Sequence, residues 1–191
     1  MRRIVFATNN ANKIREVKAS LGDQYEFLSL ADIGCTEEIP ETTNTIPGNA
    51  KQKAQYVNHN YQYNCFSEDT GLEVGALDGA PGVHTAYYGG PERDAQKNMA
   101  KVLHELSAKD DRSAQFRTVI ALIIDGEEHL FEGIVRGRIA DAPRGNGGFG
   151  YDPIFIPEGH ATTFAEMNAE DKNAISHRGR AVAKLQAFLQ Q

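Results

Sequence analysis

The chain is predicted to be a mixed α/β protein, an elongated central sheet with helices flanking it. Three observations predict this class. Strand and helix patterns alternate early in the chain, a long two-strand hairpin pattern follows, and an amphipathic helix closes it. Arg3–Ala7 is a short apolar run ending in Thr8-Asn9-Asn10, which reads as a first strand entering a loop. Ile14, Val17 and Leu21 follow at helical spacing, and Gly22 supplies the stop. Tyr25–Leu30 reads as a second strand. Residues 31–47, with Gly34, Pro40, Pro47 and several threonines, read as a long loop. Gly48–His59 reads as a helix, with Asn44 or Thr45 able to cap it.

Cys65–Ser67 reads as a short strand, which places Glu68-Asp69-Thr70-Gly71 at its C-terminal end. Residues 75–93, rich in Gly and Pro, cross the surface irregularly. Asp94 precedes Ala95, Met99, Val102, Leu103 and Leu106, an amphipathic helix. Ala114–Ile124 and Glu128–Ile139 read as strands joined at Asp125-Gly126, a strong hairpin signal. Ser176 caps a last helix whose Val182, Leu185 and Leu189 face inward.

A chain of 191 residues supports one core, or one core with a small lobe, and no linker interrupts it, so residues 1–191 are expected to form a single domain. With 40% hydrophobic and 24% charged residues the composition is that of a soluble globular protein. No apolar run reaches membrane-spanning length, the longest being Val119–Ile124. The N-terminus has no signal-peptide pattern, and Cys35 and Cys65 lack metal-type spacing, so free thiols in a reducing cytoplasm are expected. A net charge of −6 argues against a nucleic-acid coat protein, but not against one small phosphate ligand met by a few lysines.

Residues 145–153, Gly-Asn-Gly-Gly-Phe-Gly-Tyr-Asp-Pro, are the most informative stretch. Four glycines let the backbone approach a ligand, Phe149 and Tyr151 offer flat faces, and Asp152 offers an acceptor. Stacking plus an edge reader suits a nucleobase. The literal G-x-G-x-x-G within it is not a dinucleotide fingerprint, because Pro143 and Pro153 prevent a helix from starting in register.

Three further segments carry chemistry. Thr8-Asn9-Asn10-Ala11-Asn12-Lys13 leaves backbone N–H groups at a helix start, which favours phosphate oxygens, and Lys13 adds a point charge. In Glu68-Asp69-Thr70-Gly71 the adjacent acids point to opposite faces of an extended chain, so one enters the site while the other holds the loop or faces solvent. A carboxylate beside phosphates suits Mg²⁺, with Glu41 as the nearest second acid. Lys172 and Ser176-His177-Arg178-Gly179 gather cations near a helix start. Positive charge is unfavourable there, which points to a compensating anion.

Taken together, Thr8–Lys13, Glu68–Gly71, Ala80-Pro81-Gly82-Val83, Gly147–Pro153 and Ser176–Gly179 resemble, in order and spacing, the inosine triphosphate pyrophosphatase family. The resemblance implies two lobes around a nucleotide cleft, usually in a homodimer, and hydrolysis of deaminated purine nucleoside triphosphates (ITP, dITP, XTP) to monophosphate and pyrophosphate. It implies that Thr8, Asn9, Asn10, Ala11, Asn12, Lys13, Lys53 and Lys172 contact the triphosphate, with Thr70 touching substrate. Asp69 would be the proton acceptor and Mg²⁺ ligand, with Glu41 as second ligand. Phe149, Gly150, Tyr151, Asp152, His177 and Arg178 would hold the base. Glu-Asp-Thr-Gly stands where many bacterial members carry Asp-Asp-Ser-Gly, which leaves the role of Glu68 open. Alternatives are a nucleotide sensor without hydrolysis, a pyrophosphatase for other modified nucleotides, and an RNA-binding module, which the acidic charge disfavours.

Overall fold

A computed structural model describes residues 1–21 and 23–191; the stop assigned to Gly22 falls outside them. Among the described residues six strands form one sheet: β1 (Arg2–Phe6), β2 (Tyr25–Leu28), β3 (Cys65–Val74), β4 (Ser113–Ile124), β5 (Glu127–Ile139) and β6 (Phe155–Pro157), in the order β2-β1-β3-β4-β5-β6. The helices are α1 (Ala11–Leu21), α2 (Ile46–Tyr61), α3 (Ala95–Glu105), α4 (Ala169–Ile175) and α5 (His177–Leu189). β1 pairs in parallel with β2 and with β3, while β6 runs antiparallel to β5 with Ile139 opposite Phe155. The mixed α/β class is as expected.

Local chemistry explains most boundaries. Thr45 caps α2 by accepting from the Gly48 N–H at 3.0 Å, and Asp94 caps α3 by accepting from the Gln96 and Lys97 N–H groups. Asp125 and Gly126 both have positive φ, 52° and 83°, the turn that matches strand twist in a two-residue hairpin.

The main departure is β3. It continues to Val74, so Glu68, Asp69 and Thr70 lie within a strand and not at its end. Polar residues and Gly71 read as a stop, but sheet pairing overrides so weak a local preference. β2 also ends earlier than expected, at Leu28. The short β6 and α4 went unread, β6 because three residues ending in Pro157 carry no strand period, and α4 because seven residues are too few to show a helical one.

The chain divides into two compact units. The first comprises Met1–Asp69, Thr118–Gly133 and Gly179–Gln191; the second comprises Thr70–Arg117 and Ile134–Arg178. The first unit's core gathers Ile4, Phe6, Val17, Phe66, Ile120, Leu122 and Leu185, with Phe6 and Phe66 stacked at 4.6 Å. The second unit's core gathers Leu72, Val102, Phe116, Ile154, Phe155 and Phe164. Cys35 and Cys65 are free buried thiols, and burial pushes the Cys65 thiol up to about 12. Among the described residues no helix is long and apolar enough to cross a membrane.

Candidate functional site

In the first unit, three carboxylates and two lysines meet where β3 passes α1 and α2. Lys53, on α2, is almost buried; its Nζ lies 2.6 Å from Glu41 Oε1 and 3.8 Å from Asp69 Oδ1. The same ammonium donates to the Glu68 carbonyl oxygen at 2.6 Å. Lys13 Nζ lies 2.9 Å from Glu68 Oε1. Alternation along β3 sends the two acids to different cations: Glu68 to Lys13, Asp69 toward Lys53. Glu68 is buried at 1% exposure, so it does not face solvent, one of the two placements its sequence position allowed.

Burial pushes the Asp69 carboxyl up to about 6, against the pull of Lys53 and Lys13 and with help from Glu41 and Glu68. A carboxylate this poorly solvated, yet still ionised at neutral pH, is suited to taking a proton.

The Thr8–Lys13 segment differs from expectation in one respect. Its helix-start N–H groups are partly engaged within the chain, since Asn10 Oδ1 accepts from the N–H groups of Asn12 at 3.0 Å and Lys13 at 3.2 Å. Thr8 Oγ1 accepts from the Asn10 N–H at 3.1 Å. Asn10 is therefore the local cap of α1. Asn9, Asn10 and Ala11 are exposed.

In the second unit, a cation–aromatic cluster forms around Phe149. Asp152 Oδ2 accepts from the Phe149 N–H at 2.9 Å and from Lys172 Nζ at 2.7 Å. Lys172 Nζ lies 4.5 Å from the centre of the Phe149 ring, and the Arg178 guanidinium carbon 5.3 Å from it. Lys172, Asp152, His177 and Arg178 are each 4% exposed, and the His177 ring stacks on Phe116 at 4.5 Å. Lys172 thus sits among the residues expected to hold the base. It belongs to the last turn of α4, where positive charge is favourable, and Asp152 is its anion. Thr70 is half-buried on β3.

Tyr151 is a correction. It is 5% exposed within the core, and its hydroxyl donates to the Thr85 carbonyl at 2.6 Å, so its ring is packing and not a stacking platform. The glycines also serve packing more than ligand approach. A Cβ on Gly145 would lie 2.5 Å from Ala165 carbonyl carbon, and one on Gly148 would lie 2.1 Å from Asp152 Oδ2. Gly150, at φ +61°, has open space beside it. Gly148 has φ +65°, so Gly148→Ala combines backbone strain with a clash on the Asp152–Lys172 pair. We expect it to cost about 1–3 kcal/mol in urea denaturation; an unchanged midpoint would mean the loop relaxes freely.

Sequence reasoning missed a second set of residues: Glu37, Thr42, Thr43, Asn49, Gln52, Tyr56 and Tyr61, which bond the segment carrying Glu41 to α2. A signal was available. Asn49, Gln52, Lys53 and Tyr56 recur at i, i+3, i+4 and i+7, a polar stripe on one helix face.

Fold and clusters define a class: an α/β protein with an acid–lysine group where β3 meets α1 and α2, and a cation–aromatic group around a glycine loop. A family model described as the Ham1 family matches residues 4–188. Proteins called dITP/XTP pyrophosphatase from Flavobacterium psychrophilum and Porphyromonas gingivalis are each 54% identical, covering 97% and 99% of this chain and 98% of their own. One of the same description from Bacillus subtilis is 44% identical over 100% of this chain and 98% of its own. The solved structure of the Staphylococcus aureus Ham1 protein superposes with TM-score 0.92 at 37% identity, covering 99% of this chain and 98% of that one. The chain belongs to the Ham1 family, and the resemblance carried by its ordered motifs is borne out.

Proposed function

We propose that this protein hydrolyses deaminated purine nucleoside triphosphates, dITP, ITP and XTP, to the monophosphate and pyrophosphate. The observation that carries the reading is the acid–lysine cluster around Asp69, in a chain whose relatives are described as dITP/XTP pyrophosphatases. Asp69 accepts the proton of the attacking water, at the α-phosphorus. Lys13 and Lys53 leave their carboxylates to neutralise phosphate oxygens, and Thr8–Asn12 lie against the same chain of phosphates. Thr70 touches the substrate. Phe149, Gly150, Asp152, His177 and Arg178 hold the base, with Lys172 supporting them through Asp152.

The donor set fits Mg²⁺. Glu41 and Asp69 offer hard carboxylate oxygens, and Glu41 and Glu68 both act electrostatically on Asp69. Among the described residues no group of three His, Cys, Asp or Glu forms a full metal cage, which suits an ion that takes one or two carboxylates and completes its shell with phosphates and water. Glu41 and Asp69 would hold the ion, and when bound it would neutralise charge on the departing pyrophosphate. On the family resemblance we assign residues 1–191 to one functional domain, in a cytoplasmic homodimer.

Base choice follows from donors. Hypoxanthine and xanthine carry a six-carbonyl that accepts from Arg178, whereas adenine's amino group would face a donor; guanine shares that carbonyl and is refused at its two-amino group. A buried unpaired polar group costs about 1–3 kcal/mol. The test is pyrophosphate release from ITP, XTP, GTP and ATP, with Mg²⁺ and with chelator. Metal-dependent release from ITP and XTP, with GTP and ATP nearly untouched, is expected. Binding without release would make the protein a sensor, and equal release from all four would overturn the base assignment.

A further inference from the structure

Residues 37–43 lie along α2, held by side-chain bonds at successive levels. Glu37 Oε1 accepts from the Tyr61 hydroxyl at 2.5 Å and the Tyr56 hydroxyl at 2.9 Å. Thr42 and Gln52 exchange two bonds, backbone N–H to Oε1 and Nε2 to Oγ1, each at 2.8 Å. Thr43 gives its N–H at 3.0 Å and its hydroxyl at 2.8 Å to Asn49 Oδ1, and Asn49 is buried. Between these rungs Glu41 Oε1 meets Lys53 Nζ.

The rungs matter because of what surrounds Glu41. No helix or strand is assigned from Gly34 to Thr45, and the Glu41 side chain is 37% exposed. A carboxylate on such a segment must lose backbone and rotamer freedom before it can hold a ligand. The rungs on either side of it meet that cost during folding, not during binding. Glu37 anchors its rung through the two tyrosine hydroxyls, and the Tyr61 hydroxyl first, then a backbone hydrogen bond and the Tyr56 hydroxyl, hold its carboxyl down at about 2.

We propose that Glu37 and Gln52 are positioning residues that fix Glu41, and that they set the protein's affinity for its divalent cation without setting the chemical rate. This rests on the reading above that Glu41 is a cation ligand. Neither residue is placed against substrate, so the signature is a split between cation requirement and maximal turnover.

The experiment measures the half-saturating concentration of free Mg²⁺ at saturating dITP, together with the rise in melting temperature that Mg²⁺ alone produces in nucleotide-free enzyme. Glu37→Ala and Gln52→Ala are expected to raise half-saturation about tenfold, the usual scale for removing a group that orients a metal ligand. Both should shrink the Mg²⁺-induced thermal shift and leave turnover at saturating Mg²⁺ unchanged. Glu37→Gln still accepts from both tyrosines and should behave as the native protein does. Glu41→Gln separates the ligand role from the positioning role. If it leaves the Mg²⁺ requirement unchanged, Glu41 is not a ligand and the positioning role falls with it. If it raises the requirement while Glu37→Ala and Gln52→Ala do not, Glu41 stands and the positioning role alone is overturned. A Glu37→Ala variant that loses turnover at saturating Mg²⁺ without changing half-saturation would also overturn it.

Discussion

Asp69→Asn is expected to lose about 10²–10⁴ in turnover, the usual worth of a general base, and to gain stability at the same time. The gain follows from the direction in which its pKa moves. Burial raises the folded-state value to about 6 from an ordinary 3.8, so the folded protein holds this proton more tightly than the unfolded chain does. A group raised in this way makes stability fall as pH climbs from about 4 to about 6, after which the loss is complete. A rise of that size corresponds to about 3 kcal/mol, and the amide avoids much of that cost. In chelator at pH 7.5 the variant should melt several degrees above the native protein, and the difference should vanish near pH 4. Loss of turnover with lower stability at neutral pH would mean that Asp69 is held for structure and not strained for chemistry.

The second large effect lies in the other cluster. Asp152 and Lys172 form an ion pair in which both side chains are 5% exposed, and Asp152 also accepts from the Phe149 N–H. Asp152→Ala leaves a buried ammonium without this carboxylate, a change that costs about 3–5 kcal/mol. Urea denaturation checks it, and a loss under about 1 kcal/mol would show that the pair contributes little beyond its own desolvation. Asp152→Ala combined with Lys172→Met should recover much of the stability, since replacing both partners removes the stranded charge. It should not recover binding of dITP, because the support beneath Phe149 and Arg178 is gone.

How much of this was legible in the sequence depends on the range of the interaction. Caps and turns are local, so Thr45, Asp94 and the Asp125-Gly126 hairpin could be read directly from residue type. β3 could not, because Asp69, Thr70 and Gly71 lie in its middle, and only its neighbours in the sheet keep it extended. Chemically loaded residues were visible by type, but their pairings were not. Lys172 read as one of a group of cations near a helix start because nothing local ties it to Asp152, twenty positions away. Tyr151 read as a stacking face because a tyrosine beside glycines looks exposed, whereas its hydroxyl reaches Thr85 across 66 positions. The rungs between residues 37–43 and α2 went unread for the same reason, although the polar stripe on that helix marked one side of them.

The most direct test of the central claim follows the oxygen of the attacking water. Hydrolysis of dITP in water labelled with heavy oxygen, with products resolved by mass spectrometry, should place the label in the nucleoside monophosphate and none in pyrophosphate, as attack at the α-phosphorus requires. Label in pyrophosphate would move the attack to the β-phosphorus. Release of labelled inorganic phosphate with a nucleoside diphosphate would move it to the γ-phosphorus. Either result would contradict the assignment of Asp69 to a water that attacks the α-phosphorus.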